Sequence, residues 1–112
     1  MSTLSAAEAQ AAWREGARAF REGDAAGARD RFRRIVDSGR GDASVWLGLA
    51  LAARRLGDPA ETLRAVDEAL EREPGNLRAL MLKGDHLGET GDPVAAAAFY
   101  GAVVQLGGEG PS

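Results

Sequence analysis

The chain predicts an all-α solenoid of stacked helical hairpins, and three observations carry that prediction. A Gly-Asp pair recurs every 34 residues, as Gly23-Asp24, Gly57-Asp58 and Gly91-Asp92. A small residue follows four positions after each Asp: Ala28, Thr62 and Ala96. A bulky one follows four further on: Phe32, Val66 and Tyr100. A fixed period in this range marks a solenoid of units that cannot bury their apolar faces alone. Such a chain is expected to bind or scaffold other proteins, with no catalytic role.

The elements follow in order. Residues 1–8 read as an N-terminal segment. Three repeats are expected at 9–42, 43–76 and 77–110, forming one domain with a Gly-rich tail. Each reads as helix A, tight turn, helix B, connector. In the first repeat Ala12, Gly16 and Ala19 take the inward positions of helix A, and Ala28, Phe32 and Ile35 those of helix B. In the second, helix A is expected over Ala43–Leu56, with Trp46, Leu49, Ala50 and Ala53 on one face. Gly57 suits the left-handed helix stop. Asp58 then caps the next helix, and Pro59 fits its first position. Helix B runs to about Arg72, with Thr62, Ala65, Val66, Ala69 and Leu70 inward, and Pro74-Gly75-Asn76 ends it. The third repeat copies this plan. Leu80, Gly84 and Leu87 line its helix A, and Ala96, Tyr100 and Val103 its helix B.

The pattern Trp46-x-x-Leu49-Ala50-x-x-Ala53, then Gly57-Asp58, Thr62, Val66, Ala69 and Pro74, resembles a tetratricopeptide repeat. Leu80, Gly84, Leu87, Ala96, Tyr100 and Val103 fit the same pattern, as do Gly16, Ala28 and Phe32. The likeness runs from Ala9 to Gly110 in one register without an insertion. It departs from the family where Ala19, Ala53 and Leu87 replace an aromatic and where Arg40 and Gly108 replace the closing Pro. The resemblance implies a right-handed superhelix whose A helices line a concave groove.

The groove face of each A helix lies one residue beyond the core stripe. It comprises Gln10, Trp13, Ala17 and Phe20 in the first helix, with Arg21 at the edge. The second gives Ser44, Leu47, Leu51 and Arg54, and the third Arg78, Met81, Asp85 and Glu89. The expected result is an apolar strip of Trp13, Phe20, Leu47, Leu51 and Met81, rimmed by Arg54, Arg78 and Asp85. Such a strip suits an amphipathic helix or an extended peptide. The competing expectation is that the chain's own N-terminal segment, or a further C-terminal helix, fills the groove. Some tetratricopeptide domains hold a peptide carboxylate with a Lys–Asn clamp. Here the sole Lys, Lys83, lies at a different helical offset, and the groove has no Asn.

Other chemistry is poorly supplied. Net charge is −3 with 28% charged residues, so the basic footprint of a nucleic-acid binder is missing. All but one of the 14 basic residues are Arg, a bias that reads as genome composition and suggests a bacterial source. The run Arg29, Arg31, Arg33, Arg34 flanks a core stripe and reads as a solvated convex face. No Cys is present, and His86 is the only His, so neither a metal site nor a cofactor is expected. Ser2, Ser5, Ser38 and Ser44 lack a nucleophile-elbow context. Gly107-Gly108-Glu109-Gly110 lacks the Lys-Ser/Thr of a phosphate loop and reads as a tail. Met1–Ala12 lacks the basic and apolar regions of a signal peptide, and a cytoplasmic location is expected.

The last helix is the second informative place. Pro93–Gly107 carries no charge. It falls short of the ~20 residues that span a bilayer, and an uncharged helix is normally buried all round. Phe99, Val103 and Val104 are therefore expected at an interface, with a second copy, a downstream domain or a protein partner covering them. Two alternatives to a free-standing peptide-binding module follow. One is an N-terminal accessory domain of a larger enzyme or regulator. The other is a structural unit that self-associates through this helix.

Overall fold

The computed structural model describes residues 3–107. Helix accounts for 80% of them, and no strand occurs among them. Six helices follow one another: α1 (Ala6–Arg21), α2 (Ala25–Asp37), α3 (Ala43–Arg55), α4 (Pro59–Arg72), α5 (Leu77–Glu89) and α6 (Pro93–Gly107). The expected tail from Gly108 onward lies outside the described residues. Each helix packs chiefly on its neighbours in sequence, so three hairpins stack in a line. None of the helices is long and apolar enough to cross a membrane.

Local chemistry sets the boundaries. Ser5 opens α1 with a reciprocal capping box to Glu8. Asp24, Asp42, Asp58, Asn76 and Asp92 each accept a backbone N–H three residues on, at 2.9–3.1 Å. The Gly-Asp pairs do two jobs within two residues. Gly57 has φ +75°, and Gly23 and Gly91 match it, a conformation that costs other residues a steric clash. It lets the following Asp N–H reach back to the carbonyl five residues earlier, as Asp58 N to Ala53 O at 3.0 Å. The same Asp side chain then caps the next helix. A sharp reversal therefore needs no long loop.

Packing within each hairpin repeats a small-against-large pairing. Gly16 faces Phe32, Ala50 shares the core with Val66, and Gly84 faces Tyr100. Where helix A offers Gly, helix B brings an aromatic ring; in the second repeat Ala50 and Val66 take the corresponding positions in the buried core. A Cβ on Gly16 would lie 2.7 Å from Phe32 Cε1, and one on Gly48 would lie 2.9 Å from Phe32 Cε2. The Phe32 ring is thus held between two glycines of successive hairpins.

The core differs from expectation in several places. Tyr100, expected inward on helix B of the third repeat, is 40% exposed, because α6 has a neighbour on one side only and the ring reaches over Gly84 to Asp85. Trp46 is half-buried and not central, with the Arg72 guanidinium 5.2 Å from its ring centroid. In the interior α3 buries Val45, Leu47 and Ala52 as well as Leu49, Ala50 and Ala53, because it has neighbours on both sides. In α5, His86 is buried while Leu87 is only half-buried. Leu4 is buried too, and its carbonyl accepts from Arg40 Nε at 2.8 Å. Arg40 stands where the family pattern closes with Pro, and it tethers the N-terminal segment to the end of α2. That segment joins the core there, away from the face between α3 and α5.

Candidate functional site

The A helices α3 and α5 enclose an open cleft of about 260 Å³ lined by Leu47, Leu51, Arg54, Arg78, Met81, Leu82 and Asp85. Six of these seven are predicted groove residues. Asp42 and Asn76 cap α3 and α5 at equivalent repeat positions, so equivalent faces of both helices line the cleft. Leu47 and Leu82 form a floor, at 8% and 4% exposure. Met81 stands half out of it at 50%. Leu51 is half-buried and packs on the core. Leu47, placed by its spacing in an exposed strip, is thus part of the core with one edge at the cleft.

Charge is arranged unevenly around this cleft. Arg54 hydrogen-bonds Glu89 and lies 4.0 Å from Asp85. Asp85 in turn accepts from the Tyr100 hydroxyl of α6. The hydrogen bond from Arg54 holds the Glu89 carboxyl below its usual range, and the bond to Asp85 raises the Tyr100 hydroxyl above its own. The rim from Arg54 to Tyr100 is therefore internally paired. Arg78, exposed at the other end, makes no ion pair among the described residues.

The first helix does not extend this surface as a continuous strip. Trp13 is half-buried, its ring centroid 5.3 Å from that of Phe32. With Gln10 and Ser44 it lines a separate recess of about 300 Å³ beside Arg40 and Asp42. Ala17 lies on a third recess along α1, with Arg14, Arg18 and Arg21. Phe20 is half-buried and capped by the Arg55 guanidinium 4.1 Å from its centroid. The five apolar residues named from spacing fall into two groups because Trp13 turns onto Phe32 and Arg55 covers Phe20.

Lys83 is engaged elsewhere. It pairs with Asp67 of α4 and lies 5.8 Å from the Phe99 centroid. In α6, Ala96 is buried and Phe99 and Val103 are half-buried, turned towards the body of the last hairpin. Val104 is 67% exposed. Of the three expected interface residues, Val104 is the most exposed and Phe99 and Val103 are half-buried.

Sequence reading missed Glu61. It is 4% exposed, hydrogen-bonded to Arg33 and 4.0 Å from Arg29. The basic run on α2 is therefore not simply a solvated face: two of its four arginines clamp a buried carboxylate of α4 across the hairpin junction.

Two overlapping stretches, residues 14–63 and 47–111, match the family described as Tetratricopeptide repeat. No curated protein matches the chain. Among solved structures it is similar to the TPR2B domain of yeast Sti1, in a structure titled as the TPR2B-domain:pHsp70 complex. The TM-score is 0.83 at 22% identity, covering 91% of this chain and 82% of that one. The likeness carries the fold, a right-handed solenoid of three antiparallel helical hairpins. With nearly the whole length matched in two registers, the chain belongs to the tetratricopeptide repeat family.

Proposed function

We propose that the chain is a non-catalytic protein-interaction module that takes a peptide or helix into the cleft between α3 and α5. The observation that carries this reading is the half-exposed Met81 over a floor of Leu47 and Leu82, beside Arg78, which has no ion-pair partner among the described residues. A flexible thioether over an apolar floor adapts to a bulky side chain. An exposed guanidinium rewards a carboxylate next to it. The ligand is then a segment with a large apolar anchor flanked by Asp, Glu or a terminal carboxylate. The structurally similar TPR2B domain, in a structure titled as a complex with pHsp70, supports partner recognition by this fold.

The test is selection of a displayed random-peptide library on the immobilised chain. Anchors flanked by acidic residues are expected to enrich. Met81→Asp should lose the enriched peptides while keeping the wild-type helical spectrum, because Met81 is half in solvent. Leu51→Asp is a poorer probe, since Leu51 also packs on the core. Undiminished capture by the Met81→Asp chain would end the proposal.

A further inference from the structure

The free face of α6 has its own pattern. Val94 is 82% exposed and Val104 67%, and Ala97, Ala98 and Gly101 between them are exposed as well. A Cβ on Gly101 would meet nothing within 4 Å. Val94, Ala97, Gly101 and Val104 are spaced 3, 4 and 3, the seam of a helix pair. The seam reads large, small, small, large, the same in both directions. Set antiparallel against itself, each Val94 lies opposite a Val104 and each Ala97 opposite a Gly101. The small centre permits close approach of the two helix axes, and the valines close both ends.

The two inner junctions argue against a further repeat as the occupant. At the positions 34 residues before Gly101 and 34 before that stand Asp67 and Arg33. Both pin one hairpin to the next by ion pairs, Asp67 to Lys83 and Arg33 to Glu61. Arg29, at the position of Ala97, also faces Glu61. On α6 these places hold Gly101 and Ala97, and the helix has no charge at all. It offers nothing for a charged partner to read. It also sets no like charges against one another when it meets itself.

We infer that α6 is a self-association face, on which two copies of the chain pair antiparallel through Val94, Ala97, Gly101 and Val104. With 15 residues, α6 is about 22 Å long. A single helix pair of that length belongs to the small class of interfaces, which are weak and transient. The dimer therefore forms in the upper micromolar range and leaves the cleft between α3 and α5 free.

Sedimentation of the 112-residue chain from low micromolar to millimolar should show the mass rising from 11.7 kDa towards twice that value. Val104→Glu should stay monomeric with an unchanged helical spectrum. Val94→Glu, at a still more exposed site, serves if that variant fails to fold. The chain has no Cys, so single thiols report orientation. Val94→Cys mixed with Val104→Cys should give a disulfide-linked dimer. Either alone should not, because in the antiparallel pair like positions lie about 15 Å apart. A chain that remains monomeric at millimolar concentration would overturn the inference and leave α6 to a segment of a longer chain or to another protein. So would self-linking of Val94→Cys alone, which reports a parallel pair, or a dimer that persists in both Glu variants.

Discussion

Gly16→Ala tests the packing that defines the first hairpin. In an ordinary helix interior the change gains about 1 kcal/mol from helix propensity and reduced unfolded-state entropy. Here the new Cβ would lie 2.7 Å from Phe32 Cε1 and 3.0 Å from Cζ. The ring cannot slide away, because Gly48 of the next hairpin already lies against its other edge and Phe32 is 2% exposed. Overpacking of this kind costs about 1–3 kcal/mol. The cost exceeds the gain, and a net loss of about 1 kcal/mol is expected, or about 4–8 °C in melting temperature. Gly88→Ala is the control. Its Cβ would meet only Ala96 Cβ, at an ordinary 3.9 Å, so the same chemical change should raise the melting temperature. Gly84→Ala falls between. Its Cβ would lie 2.8 Å from Tyr100, but that ring is 40% exposed and can swing out by giving up its bond to Asp85. The assay is thermal melting followed by circular dichroism on dilute samples. If Gly16→Ala melts higher than wild type, as Gly88→Ala should, the Phe32 packing described above is wrong.

Ala50→Leu places a large side chain at a position with 0% exposure against Val66, and should destabilise by about 1–3 kcal/mol in urea; an unshifted midpoint would mean that the helix register differs. Arg29→Ala with Arg33→Ala leaves the Glu61 carboxylate buried and unpaired, and should cost about 1–3 kcal/mol. The lower end is favoured because the Arg33 side chain is 44% exposed, and a loss of only a few tenths would show that water replaces the clamp. Tyr100 is the only Tyr, so its ultraviolet titration is unambiguous. With its hydroxyl donating to Asp85, its folded pKa lies above the ordinary 10.0. The bond therefore stabilises the fold at and below pH 10 and is lost as pH rises through the higher folded value. Asp85→Asn should bring the titration back down, and an identical curve in that variant would exclude the contact.

Much of this architecture is legible along the chain because the forces concerned are local. The Gly-Asp pairs act over five residues, and the Asx caps over three. The core stripes Ala12-Gly16-Ala19 and Ala28-Phe32-Ile35 follow from the pitch of one helix. Repeat number, helix ends and turn positions were therefore within reach of spacing alone. Periodicity gives the angle of a side chain around its own helix. It does not give the rotation between successive hairpins or the rotamer of a long side chain.

Those two quantities decided the rest. They drew Leu47 into the core, turned Trp13 onto Phe32 and put Arg55 over Phe20, so the expected strip narrowed to the cleft between α3 and α5. They brought Glu61 between Arg29 and Arg33, which lie 32 and 28 residues away along the chain. They also set Phe99 and Val103 inward and left Val94 and Val104 in solvent. Each of these results depends on two elements meeting at a particular angle, and only the packed hairpins carry that angle.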